Sequence, residues 1–365
     1  MERKTVIVSA ISLRSGGTFS ILQDCLHQLD DSRYQKLKVY AIVKDKKLFD
    51  QTFQRINFIE IDGTAFYLKR LYYEYFYFKK LSRKLKPHLW LSLHDITPNV
   101  VAERRVVYCH NASPFYNLTF KEFKIEPKLG VFKLIYKYAY KFNIEKNDYV
   151  IVQQDWLRNT FQKCFDIPVK KIIVAHPHLH FPLISTTPSP DKDKTFIYPT
   201  LPRVFKNIEL ICGASEILVN KGISNFKVAI TIDGTENRYA KQIVKQFGHI
   251  PNLHFIGLQK RDRIFALYGE TDCLLFPSKL ESWGLPISEF KLTKKPILLS
   301  DMPYAHEALG DYDWAGFFNP FSKEDLAEKM KHLIQGTIKF EKHLRPVVSS
   351  PMSNNWHELF ETILK

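Results

Sequence analysis

Two glutamates, Glu281 and Glu289, stand with seven residues between them in the stretch Cys273–Glu289, which reads CLLFPSKLESWGLPISE. The first residues are continuously apolar, as in a strand buried on both faces. A loop follows, and Pro286 suits the first turn of a helix. Glu281 therefore falls on the loop and Glu289 one turn into the helix. Gly284 lets the backbone approach a ligand closely. The amides of Gly284, Leu285 and the first helical turn, just past Ser282 and Trp283, offer partial positive charge to an anion. Carboxylates repel phosphate, so the natural partners of the two acids are hydroxyls. The pattern predicts a diphosphate on the helix opening with acids gripping hydroxyls on either side. Two solvated glutamates on a strand–loop–helix are the plain alternative; the full run, with Phe-Pro-Ser and Gly-Leu-Pro, argues against it.

Two cations stand on the loop Pro199–Asn207, PTLPRVFKN, which could also be a surface turn with solvated cations. Arg203 and Lys206 share this loop and could supply charge-assisted bonds to phosphate, the lysine as a point charge without bidentate geometry. Ser15–Thr18, SGGT, follows an apolar run and precedes a helix; taken alone, Gly16 and Gly17 suit a tight turn. It is not the G-x-G-x-x-G of a dinucleotide site. His110, in VVYCHNASP, lies just past another apolar run, where a parallel strand would place a site; a single histidine serves structure as readily as chemistry. His94 and Asp95 end the neighbouring run and could shape an acceptor side. Asp191–Asp193 and Asp311–Asp313 are D-x-D patterns of the kind that hold Mg²⁺ on a diphosphate. The first falls in a linker and the second in a surface-like loop, so both are read as solvated, with no metal site expected.

These residues need elements to hold them. Strand-like runs occur at Val6–Ala10, Lys38–Val43, Ile56–Ile61, Leu89–Leu93, Arg105–Cys109 and Asp148–Gln153, with helices at Phe19–Leu29, 65–85 and near Trp156–Cys164. A linker rich in Pro, Ser and Thr spans 176–194. The alternation then restarts. Strands are expected at Thr195–Tyr198, Phe226–Ile232, Leu253–Gly257, Cys273–Phe276 and Pro296–Ser300. Helices are expected at Asn207–Val219, Ala240–Gln246, Asp262–Leu267, Pro286–Leu292 and Lys323–Ile334. Such alternation implies parallel sheets covered on both faces. The expectation is two doubly wound α/β domains, residues 1–180 and 191–352, with a last helix in 353–365 that could return to the first.

The chain has 365 residues, enough for two domains with separate cores. Its formal charge of +15 attracts anions: nucleic acid, acidic lipid or phosphorylated substrates. Five scattered cysteines without C-x-x-C spacing argue for reduced thiols, a cytoplasmic setting and no zinc site. Val6–Leu13 reads as a buried strand and not as a signal sequence, and no run reaches the roughly 20 apolar residues of a membrane span.

The Cys273–Glu289 segment closely resembles glycosyltransferase family 4, whose mark is E-x7-E. The likeness continues through Lys295–Ala305, Gly316–Pro320 and Asp325–Met330, and more weakly into the first half. It implies the GT-B fold, two Rossmann-like domains facing across a cleft, and retaining transfer from a nucleotide-diphosphate sugar. It implies that Glu281 lies by the donor sugar, Glu289 binds the ribose, and Arg203 and Lys206 neutralise the diphosphate. Gly16 and Gly17 would face the donor and His110 would lie by the transferred sugar. No cofactor beyond a UDP-, GDP- or similar nucleotide-sugar is implied, and a metal is not generally needed. Where the family has a glycine–arginine pair, this chain has Pro199-Thr200, which weakens the Arg203 assignment more than that of Lys206. Base contacts would come from backbone near Ile256–Leu258. A bacterial cell-surface glycan, polysaccharide or lipopolysaccharide, built on a lipid-linked acceptor is the pathway the likeness suggests.

Basic and aromatic residues recur at helical spacing in 65–86. Leu71, Tyr75, Phe78, Leu81 and Leu85 make a core stripe, and Lys69, Tyr73, Phe76, Lys80 and Arg83 a second face. Lys128, Lys133, Lys137 and Lys141, with Phe132, Tyr136 and Tyr140, repeat the theme. Docking on an anionic inner-membrane surface and a solvated face with lysine stems over rings account for this equally. Two rival functions share some of these features. Nucleotide-sugar 2-epimerases have the same fold, and a basic nucleic-acid-binding protein would explain the charge, although no RRM, KH or zinc-finger signature is present. The missing glycine fingerprint disfavours an NAD dehydrogenase.

Overall fold

A computed structural model describes residues 3–14, 16–49, 53–61, 67–177, 184, 193–340 and 342–365. The linker predicted at 176–194, including Asp191, lies mostly outside them. The chain divides into two compact units. One comprises Met1–Phe115, Leu134–His180 and Val348–Lys365; the other Tyr116–Lys133 and Phe181–Val347. Residues 116–133 thus group with the second unit, where the sequence reading had placed them in the first.

The first unit is built on strands β1 (Lys4–Ser9), β2 (Leu37–Val43), β3 (Ile56–Glu60), β4 (Leu89–Ser92), β5 (Arg104–Cys109), β6 (Tyr149–Val152) and β7 (Ile172–Ala175). The second carries β8 (Lys194–Tyr198), β9 (Phe226–Ile230), β10 (Leu253–Phe255), β11 (Cys273–Phe276), β12 (Ile297–Ser300) and β13 (Ala315–Phe318). A last short strand, β14 (Met352–Ser353), returns to pair with β7, Met352 beside Val174. All pairings are parallel, and the orders are β3-β2-β1-β4-β5-β6-β7-β14 and β10-β9-β8-β11-β12-β13. Each sheet thus starts from the same doubly wound pattern, with its order reversing beside the first strand. The reversal point opens a crevice at the carboxyl ends of β1 and β4 in one sheet and of β8 and β11 in the other.

Burial on both faces explains the apolar runs: Val6, Ile7 and Val8, and likewise Cys273–Phe276, are essentially inaccessible. In the first unit Ile7, Ile11, Ile42, Ile61, Phe78, Trp90 and Val100 form one cluster. Trp90 satisfies its indole by donating to Ser9 Oγ at 3.1 Å. The C-terminal helix Trp356–Ile363 lies on the same unit, with Phe360 against Tyr34 and Trp356 against Tyr108.

The basic aromatic stretch 67–85 is helical, with a π-turn at Tyr73–Tyr77. That wider turn rotates the inward stripe. Glu74, Phe78 and Ser82 are buried, whereas Leu71, expected in the core, is 44% exposed. Tyr73, expected outside, packs against the Phe78 cluster. The helix Pro127–Lys141 also differs from expectation. Tyr136 and Tyr140 turn inward to donate to Asp95, while Leu134, Ile135, Tyr138 and the following Phe142 are exposed. The Phe142 ring meets Tyr75 at 5.0 Å.

Candidate functional site

The second unit brings together most of the residues singled out above. The loop after β8 carries Arg203 and Lys206; the loop after β11 carries Glu281, Ser282, Trp283 and Gly284. Several short contacts lock the two loops side by side. Lys279 N donates to Phe205 O at 2.8 Å. Tyr198 OH donates to Lys206 O at 2.9 Å and lies 2.9 Å from Ser278 Oγ. Asn207, in the left-handed region, sends its amide to Pro277 O and Pro320 O. Lys206 Nζ then reaches Glu281 Oε1 at 2.5 Å, both side chains being largely shielded from solvent.

The helix after this loop runs Leu285–Phe290, with Gly284 as its N-cap and Pro286 in its first turn. Gly284 has φ +89°, and a Cβ there would come within 3.0 Å of Ile287 Cδ1. Glycine is thus required by both backbone and packing. Among the described residues the amides of Gly284 and Leu285 have no hydrogen-bond partner. Trp283 Nε1 donates to Ser288 Oγ at 2.9 Å, which fixes the indole over the helix start.

Glu289 points from this helix into a nearly closed environment, 7% exposed. Tyr268 OH donates to its Oε2 at 2.9 Å, and Arg261 Nη2 lies 3.3 Å from Oε1. Burial raises its proton affinity; Arg261 and the tyrosine work against that. Glu281 and Glu289 thus have different settings, one facing an ammonium, the other a phenol and a guanidinium.

Residues 116–133 add groups that the motif reading missed. Thr119 and Glu122 form a capping box opening the helix Phe120–Ile125, a T-x-x-E signal visible in the sequence. Glu122 also accepts from Lys279 Nζ at 2.7 Å and from Tyr116 OH at 2.6 Å. Burial pushes this carboxyl up, but Lys279, Tyr116 and the Thr119 amide outweigh it and leave it below the usual range. Glu126 pairs with Arg203 and accepts from Val204 N. Arg203 is therefore held by a carboxylate, whereas Lys206 faces Glu281.

The backbone expected to meet a base, at Ile256–Leu258, is partly committed. Ile256 N and Gly257 N donate to Ile230 O and Ile232 O, and Gln259 Nε2 donates to Ile256 O. Asp311 accepts from Arg345 N.

The first unit holds Gly16, Gly17 and His110. Gly16 opens the helix Gly16–Asp30 with φ +72° and open space where a Cβ would stand. His110 is buried, stacked on Tyr108 at 4.3 Å. Its Nε2 lies 2.9 Å from Leu93 O, so the ring proton sits there and Nδ1 is left a bare acceptor with no partner among the described residues. Burial lowers its pKa and keeps the imidazole neutral. Asp95 holds the loop in place, with φ +71°. Its carboxylate accepts from His110 N, Asn111 N, Tyr136 OH and Tyr140 OH. His94, expected to shape an open acceptor side, is instead buried beside Glu74, Nε2 to Oε1 2.9 Å. The pair is not aligned for a hydrogen bond, and Arg70 Nε stands at 3.6 Å from the same oxygen. Burial drives the Glu74 carboxyl up to about 8 and the His94 imidazole well down, so both are neutral near pH 7.

Residues 184–346 match the family Glycosyl transferases group 1. The O-antigen chain mannosyltransferase RfbU of Salmonella typhimurium is 20% identical over 271 residues, 73% of this chain and 71% of that protein. The apo lipopolysaccharide outer core galactosyltransferase WaaB superposes with a TM-score of 0.63 at 12% identity, covering 93% of this chain and 92% of its own. Anabaena Alr3699/HepE in complex with UDP-glucose superposes with a TM-score of 0.65 at 13% identity, covering 91% and 90%.

Proposed function

From the premise that this chain is a glycosyltransferase with the GT-B fold, we propose that it is a family 4 enzyme. It moves a hexosyl group from a nucleotide-diphosphate sugar to an acceptor hydroxyl with retention of configuration. The observation that carries this reading is the juxtaposition of Lys206 with Glu281, three residues before a helix opening whose first amides have no partner among the described residues. An ammonium has three donors and keeps two for phosphate oxygens after Glu281 takes one. As the diphosphate departs, its growing charge is met by Lys206 and the Gly284 and Leu285 amides, already oriented. Glu281 is left to orient a sugar hydroxyl, and Glu289, steadied by Tyr268 and Arg261, to accept from the ribose. The acceptor attacks on the face the leaving group vacates, and the departing phosphate takes its proton. Gly16, Gly17 and a neutral His110 serve the transferred sugar, as the family likeness implies.

The acceptor on this reading is a lipid-linked or growing surface glycan, met at an anionic membrane. The exposed side chains Leu134, Ile135, Tyr138 and Phe142, with Lys137 and Lys141 among them, support that contact. The relative RfbU is named for O-antigen chain synthesis.

Thermal unfolding in the presence of a series of UDP- and GDP-sugars tests the donor. The matching donor should raise the melting temperature, and the anomeric configuration of the product, read by NMR, should equal that of the donor. Failure of every nucleotide-sugar to stabilise the protein would overturn the reading. Interconversion of the donor without transfer would make it an epimerase.

A further inference from the structure

Two helix faces of the second unit stand across a groove of about 520 Å³ lined by Lys121, Lys124, Ile125, Arg238, Gln242, Lys245 and Gln246. On the helix Phe120–Ile125 the lining positions are spaced as one face, and so are those on the helix Arg238–Phe247. Four cations therefore face one another with no carboxylate among the lining residues. Like charges so placed repel, and nothing in the lining offsets them.

The arrangement follows from where the acids of the first helix go. Glu122 is drawn inward by Lys279, Tyr116 and the Thr119 amide, and Glu126 by Arg203. Both anchor the segment to the loops described above, so the only charged side chains left on its outer face are lysines. Among the described residues, none of Lys121, Lys124, Arg238 and Lys245 forms an ion pair. Anchoring by the acids thus imposes a cationic groove, and an anion entering it would relieve the repulsion.

We infer that this groove binds a multiply anionic saccharide chain. The glutamine amides beside the cations can donate to and accept from hydroxyls, and Ile125 offers a small apolar patch for a sugar face. A bilayer is flat and cannot enter a concavity, and a single isoleucine gives it nothing to insert. The site is separate from the diphosphate seat, because neither Lys206 nor Glu281 lines it.

Calorimetric titration of the full chain with dextran sulfate oligosaccharides tests the assignment, with unsulfated dextran alongside. The sulfated probe should bind, more weakly as salt rises, and the neutral one should not. Joint Lys124→Gln and Lys245→Gln should weaken binding about tenfold or more. The same change at two exposed lysines of the first unit, Lys163 and Lys170, should leave it unaltered. The groove pair should also raise the melting temperature without ligand, since repulsion is removed; both side chains are exposed, so the fold is not at risk. Equal losses from both pairs would mean that net charge alone attracts the probe and would overturn the proposal. So would loss of binding in Lys206→Ala, which would put the anion on the donor seat. Vesicles of phosphatidylglycerol should bind the groove pair as they bind the native chain; weaker vesicle binding by that pair would make the groove a lipid site.

Discussion

Lys206 Nζ and Glu281 Oε1 lie 2.5 Å apart although they stand 75 positions apart in the chain. The loops after β8 and β11 meet at the point where the strand order reverses, and this contact closes them on each other. A lysine whose only role was to neutralise Glu281 would sit equally well at the surface. Here it is shielded and tied to the loop that leads into Gly284 and Leu285, whose amides have no partner among the described residues, a setting in which an anion gains more than it would in water.

Lys206→Ala should therefore lower kcat about 10²–10³-fold, the size expected for loss of one preorganised charged donor. The melting temperature should change little, because the loops remain tied through Tyr198, Asn207 and the Lys279 amide. Steady-state kinetics with calorimetric unfolding checks both. Unchanged turnover would remove the lysine from the chemistry.

Glu289→Ala should weaken nucleotide-diphosphate binding by about 1–3 kcal/mol, as when a buried acceptor for a hydroxyl is lost. The sharper readout compares a ribonucleotide with its 2′- and 3′-deoxy forms. The native chain should prefer the ribonucleotide, and the variant should bind all three alike. A preference that survives in the variant would show that the carboxylate does not meet the ribose.

These two predictions rest on residues legible in the sequence, since E-x7-E and the Arg203–Lys206 loop are local patterns. The strand alternation was legible for the same reason. What stayed hidden was long-range. Lys279 finds Glu122 across 157 positions, and Arg203 finds Glu126 across 77, and spacing encodes neither. The strands β7 and β13 went unpredicted although equally short strands were found, and β14, at two residues, is too short to show any periodicity. The inward face of 67–85 was misread because a single π-turn shifts it, so that Leu71 faces solvent and Glu74 the interior. Asp95 looked like an acceptor-side acid, yet four donors converge on it and make it the keystone of the His110 loop.

Asp95→Asn and Asp95→Ala should separate that role. Asparagine tolerates the left-handed backbone better than other residues and keeps one carbonyl acceptor; alanine keeps neither advantage. The alanine variant should lose about 2–4 kcal/mol, from backbone strain and orphaned donors, and the asparagine variant clearly less. Urea unfolding gives the comparison. Equal destabilisation would mean that Asp95 contributes charge alone.

Leu134→Glu with Ile135→Glu should abolish co-sedimentation with phosphatidylglycerol vesicles at low salt, while transfer to a soluble acceptor continues. Both positions are exposed, so the fold should survive. If the doubly acidic variant still sediments, the exposed face of 134–142 is not the membrane contact.

Glu74 sets a pH limit on stability. Its carboxyl titrates at about 8 in the folded chain, against a usual value of 4.5, because burial disfavours the charge. The folded state then binds more protons than the unfolded one between those values, so stability falls as pH rises through that window. The contribution is complete below the unfolded pKa and gone above about 8. Glu74→Gln keeps the shape without the ionisation. The variant should match the native chain near pH 5 and unfold at a higher temperature near pH 9, with the two melting curves separating progressively between. Parallel curves across the whole range would mean that Glu74 is already ionised beside His94 and Arg70, and that its burial is offset by contacts other than a retained proton.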